Sequence, residues 1–150
     1  MTNLKNQLYE ACLQFVDNRI ETAQKAMNAA QEAANEESKS SAGDKYETTR
    51  AMMQIERDRH AAQLAEALKL RQELAEISLL QQTEMVQAGS LVYTNQGVFF
   101  IAVSAGKIML EGVTYFAVSP VSPIGSLLLR RTTGESVELN NRTILIRDVR

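Results

Sequence analysis

Neither glycine nor proline occurs before residue 43, and apolar side chains recur there at alternating steps of four and three. Tyr9, Leu13, Val16, Ile20, Ala23, Met27, Ala30 and Ala34 form a heptad seam held over about four heptads. That pattern predicts one helix over residues 4–36, with Asn3 or Thr2 placed to cap its start. The seam is bulky near its start and mostly alanine toward residue 34, so a partner helix would approach most closely at the far end. Residues 37–43 carry Glu, Lys, three Ser, Ala and Gly, a cluster that breaks the periodicity. A second helix is expected from about residue 45 to 83. Met53, His60, Leu64, Ala67 and Leu74 share one face of it, with Ala61, Leu68, Leu70 and Ile77 alongside and Arg57 and Arg71 interrupting the register. A turn centred near residue 41 pairs Met27 with Ile55, Ile20 with Ala62, Leu13 with Lys69 and Tyr9 with Glu73. Leu68 and Leu74 then supply the contacts at the base. Helices of this length run roughly 50 Å at about 1.5 Å per residue. Such a hairpin buries little apolar surface per residue and is expected to be the less stable part unless its base packs on a second domain.

The pattern changes at Ala88-Gly89-Ser90. Beyond it, short β-rich runs alternate with turn residues: Leu91–Thr94, Val98–Val103, Lys107–Leu110, Val113–Val118, Ser136–Leu139 and Arg142–Val149. Asn95-Gln96-Gly97 and Glu111-Gly112 read as hairpin turns, the first with Asn and Gly supplying positive φ. Ser122-Pro123 opens one short helix, Ser122 as its cap and Pro123 at the first helical position, where a missing N–H costs nothing. The fold class so predicted is α+β. Residues 1–86 form an antiparallel coiled-coil arm, and residues 87–150 form a small β-rich domain of about six strands and one helix.

Composition sharpens this division. Three of the four Phe lie after residue 90, whereas the first part has only Tyr9, Phe15 and Tyr46 as rings. Residues 1–86 hold ten Lys and Arg against fourteen Asp and Glu, a balance of −4, and residues 87–150 hold six against four, a balance of +2. Neither part has the dense basic patch of an independent nucleic-acid binder, so no DNA binding by the chain alone is expected. An acidic arm on a mildly basic body suits a protein partner. Cys12 is the only cysteine, which excludes an internal disulfide and fits a reducing compartment. No apolar run approaches the ~20 residues of a membrane span, and a cytoplasmic protein with no membrane partner is expected.

The residues with the most chemistry lie in the break, within an acidic tip at 40–47. Asp44 and Glu47, three apart, fall on one face of a helix start with carboxylates close enough to share a cation. The same spacing is that of a capping box, in which Asp44 and Glu47 satisfy backbone N–H groups of the second helix. If Ser41 is the cap instead, both acids are free for a metal. Spacing alone leaves both readings open.

Two stretches resemble a known family. Gly43-Asp44-Lys45-Tyr46-Glu47 is similar to the Gly-Asp-x-x-Glu tip of the bacterial Gre transcript-cleavage factors. Gly106-Lys107-Ile108, Ser122-Pro123-Ile124 followed by Leu127-Leu128, and Gly134-Glu135 resemble that family's C-terminal signature. The family's leucine-rich opening and its proline in the first helix are absent, and Thr48-Thr49-Arg50 replaces the usual Asn-Ala-Glu-Tyr. The resemblance implies an FKBP-like second domain without prolyl isomerase activity. It also implies that the chain is no enzyme itself but an activator of the nuclease activity of RNA polymerase. The arm would enter the secondary channel, where Asp44 and Glu47 help to hold the second Mg²⁺ of a two-metal site that cleaves backtracked RNA. Mg would be shared only in that complex, with no cofactor of the chain's own, and the nascent RNA 3′ end would be met indirectly.

The remaining polar residues read more plainly. Glu36 and Glu37 suit a solvated helix end, Lys45 and Arg50 a solvent-facing role or a contact to RNA or polymerase, and His60 a seam position. Gly106 lies in no phosphate loop, and Ser122 has no base beside it in sequence. Three functions therefore stand: a polymerase factor that stimulates cleavage, a secondary-channel binder that modulates or inhibits polymerase without cleavage, and a coiled-coil scaffold unrelated to transcription.

Overall fold

A computed structural model describes the backbone of residues 2–40, 44–80 and 84–150, and their side chains except those of 2–3, 37–40 and 44–46. The chain is α+β: two long helices, then a six-stranded sheet with one short helix. Helix α1 spans Thr2–Ser40 and α2 spans Asp44–Ala75. Contacts divide the chain into two compact units, one of residues 16–72 and one of residues 1–15 together with 73–150.

In the first of these units α1 and α2 run antiparallel, with Arg71 of α2 ion-paired to Asp17 of α1. The expected turn near residue 41 lies outside the described residues, between the helix ends at Ser40 and Asp44. Ala23 and Ala67 are buried, and Ile20, Met27, Ala30, Ala34, Met53, His60 and Leu64 are half-buried, as a seam requires. Three expected contacts fail: Ile55 is 67% exposed, Leu68 is 49% exposed, and Ala62 is exposed as well. All three lie off the buried stripe, because a two-helix pair buries only one face of each helix.

The second unit gathers both ends of the hairpin with the sheet. Leu8, Cys12 and Leu74 are fully buried in it. Leu8 and Cys12 lie beside the predicted seam rather than on it, and the Cys12 thiol meets the backbone of Val103. A third body at the base of the helices therefore buries a second stripe, which two-helix reasoning cannot anticipate. Helix α2 stops eight residues short of expectation. Its end tightens through i→i−3 bonds, Glu76 N–H to Glu73 O and Ile77 N–H to Leu74 O, each 3.2 Å. The Tyr9 hydroxyl also donates to Leu74 O at 3.1 Å. The chain then turns to lay Ile77 and Ser78 against Gly89, where a Cβ would sit 2.8 Å from both Ile77 Cγ2 and Ser78 O. Tertiary packing ends this helix, since no breaker residue stands there.

The strands are β1 Leu91–Thr94, β2 Gly97–Ile101, β3 Gly106–Leu110, β4 Val113–Val118, β5 Ser136–Leu139 and β6 Arg142–Val149, with α3 at Pro123–Leu128. Their order is β3-β4-β2-β1-β6-β5, all neighbours antiparallel except β2 and β4. Glu111-Gly112 and Asn140-Asn141 take positive φ in two-residue hairpin turns. At the β1–β2 turn only Gly97 does; Asn95 does not, because the Thr94 hydroxyl organises that turn, accepting from Gln96 N–H at 3.0 Å and donating to Gly97 O at 2.7 Å. Strand β2 ends at Ile101 rather than Val103. One sheet face supplies Val92, Ile101, Val137, Ile144 and Ile146, which form a core with Val86 and Leu128. Val86 is held there by paired backbone bonds, its N–H to Arg131 O and Arg130 N–H to its O, both 2.9 Å. No helix among the described residues is long and apolar enough to cross a membrane.

Candidate functional site

The acidic tip is the junction of the two long helices. Helix α1 runs to Ser40 and α2 begins at Asp44. Asp44 and Glu47 both fall in the first turn of α2, at i and i+3. That spacing sets their Cβ atoms roughly 5–6 Å apart on one helix face. The Glu47 side chain is exposed. Those of Glu37, Asp44 and Lys45, and the cap assignment to Ser41, lie outside the described residues. Two carboxylates at a helix N-terminus are hard oxygen donors where the helix dipole favours negative charge. Such a pair suits a hydrated divalent cation that takes its other ligands elsewhere. Among the described residues no group of three or more His, Cys, Asp or Glu is placed to hold a metal ion.

Along the same hairpin, Arg57, which interrupts the apolar seam, has a setting of its own. It lies with Arg50, Gln54, Gln31, Ala34 and Asn35 around a cleft of about 70 Å³. Gln31 donates to Asn35 across one helical turn at 3.1 Å. The signal for this cleft is in the chain: Arg50 and Arg57 are seven apart and so share a helix face. Glu36 is exposed. His60 is half-buried at its seam position, Nδ1 lying 3.1 Å from Gln63 Oε1 and Nε2 3.5 Å from Glu56 Oε2.

In the sheet unit, Ser122 is the cap of α3. Its Oγ accepts from Gly125 N–H at 3.1 Å and donates to Ser119 O at 2.7 Å, a capping role. A groove of about 530 Å³ lies beside α3, a feature sequence reasoning missed. Phe99, Phe116, Ile124, Leu139 and Ile144 give it apolar walls, with Gln96, Asn140 and Arg142 also lining it. The rings of Phe99 and Phe116 meet at 5.6 Å between centroids. Alternation along β2 and β4 puts Phe99 and Phe116 on one face, as their register pairing requires.

No protein-family model and no curated protein matches the chain. Among solved structures it is similar to "Structure of the transcription factor Gfh1", at 19% identity over 92% of this chain and 91% of that one, with a TM-score of 0.38.

Proposed function

We propose that this protein is a Gre-type elongation factor that binds RNA polymerase, inserts its acidic tip into the secondary channel and stimulates Mg-dependent cleavage of backtracked RNA. The observation that carries the reading is the position of Gly43-Asp44-Lys45-Tyr46-Glu47, whose two acids stand in the first turn of α2 at the junction of helices of 39 and 32 residues. Helices of that length extend about 50 Å or more, enough to carry a small acidic group deep into a channel. The C-terminal signature residues support the same reading. Ser122-Pro123-Ile124 opens α3, and Gly106-Lys107-Ile108 opens β3.

In this mechanism Asp44 and Glu47 lend oxygen ligands and the polymerase supplies the rest of the site. The shared Mg²⁺, when bound, stabilises charge developing on the phosphodiester oxygens during hydrolysis. Two acids in one helical turn cannot exclude water or orient a substrate by themselves, so the chain is not a nuclease in isolation. The first turn of α2 keeps the two acids in register, three residues apart on one helix. Thr48-Thr49-Arg50, which departs from the family's pattern beside the tip, favours a second reading: a channel binder that modulates polymerase without cleavage.

A stalled, backtracked complex incubated with Mg²⁺ and this protein separates the two. The expected result is a shortened RNA that polymerase re-extends, lost in Asp44→Ala and Glu47→Ala while polymerase binding persists. Inhibition without shortened RNA would establish the second reading. No association with polymerase would reject both in favour of the scaffold.

A further inference from the structure

The first turns of α1 contain a charge in a place where a charge is costly. Lys5 is only 5% exposed, and its Nζ has no hydrogen-bond partner among the described residues. It shares a stripe with Leu8 and Cys12, spaced three and four residues apart, both fully buried in the unit that contains the sheet. Glu10, Glu73 and Glu76, which belong to the same unit, are all exposed. Loss of solvent lowers the pKa of the Lys5 amine. A buried ammonium without acceptors destabilises whatever encloses it, and exposure to water relieves that cost.

We infer that Lys5 is a conformational release built into the base of the hairpin: its enclosed, unpartnered amine makes the first turns of α1 open locally while the sheet stays folded. Leu8 and Cys12 hold the segment down, and Lys5 opposes them from the same stripe. Local opening of this kind is read by amide exchange, because segments that open without global unfolding exchange faster than the core.

The test is amide hydrogen exchange of the full chain and of Lys5→Met, Lys5→Leu and Lys5→Arg. Methionine keeps the length of the side chain and removes its charge, and leucine guards against an effect peculiar to methionine. Exchange at residues 8–15 is expected to slow about tenfold or more in both neutral variants and not in Lys5→Arg, with Val92 and Ile101 in the sheet unchanged. Unchanged or faster exchange at residues 8–15 in the neutral variants would overturn the inference. So would slowing shared equally by the sheet, which would mean a global gain in stability. Failure of both neutral variants to fold would overturn it as well, since the amine would then be stabilising.

Discussion

Gly89 joins the exit of α2 to the first strand, and replacing it with alanine isolates the contact that ends the helix. Its φ is +94°, a region costing an L-residue about 1–2 kcal/mol. The added Cβ would also stand 2.8 Å from Ser78 O and 2.8 Å from Ile77 Cγ2. Ile77 can shift by rotation, but the Ser78 oxygen is backbone, and forcing it aside costs about 1–3 kcal/mol as overpacking does. The Gly89 N–H meanwhile donates to Ile101 O at 2.7 Å, so the loop cannot move away without losing a buried bond. Together these predict a loss of roughly 2–5 kcal/mol in Gly89→Ala. Gly106 is the control. Its φ is +80°, but nothing lies within 4 Å of the position a Cβ would take. Gly106→Ala should therefore lose only the conformational part, about 1–2 kcal/mol. Urea titrations followed by the amide resonances of Phe100 and Ile101 measure both. Equal losses in the two variants would refute the close approach of Ser78 and with it the explanation of where α2 ends.

Burial pushes the Cys12 thiol up to about 11 from 9.0, against a smaller opposing effect of a hydrogen bond with the Val103 backbone. The unfolded chain then loses this proton first, so the thiol's contribution to stability falls as pH rises through about 9 and is fully lost above about 11. The advantage of wild type over Cys12→Ala should shrink by about 2–3 kcal/mol across that window; a difference independent of pH would contradict the burial. Leu74→Ala should cost about 2–5 kcal/mol, whereas Leu68→Ala, half exposed, should cost under about 1 kcal/mol. Thermal melts that rank the two the other way would reject the register of α2. Asp17 and Arg71 are each about half exposed, so a double-mutant cycle should give a coupling below about 1 kcal/mol; a larger value would mean the pair is shielded from water.

Local physics made most of the elements legible. The unbroken spacing of Leu13 to Ala34 defines α1, Ser122-Pro123 defines the start of α3, and β1, β4, β5 and β6 lie where alternation and turn residues place them. The shared helical turn of Asp44 and Glu47 was legible for the same reason, since their spacing is a property of one helix. Three things depended on partners distant in sequence. Lys5, Leu8 and Cys12 are buried because a third body meets α1 at its base. Helix α2 ends at Ala75 because Ile77 and Ser78 pack on Gly89, twelve and eleven residues ahead. The groove walled by Phe99, Phe116, Ile124, Leu139 and Ile144 exists because β2, β4, α3 and the β5–β6 hairpin converge. Periodicity states which face of an element is apolar, but the surface that covers that face is chosen by packing among all the elements at once.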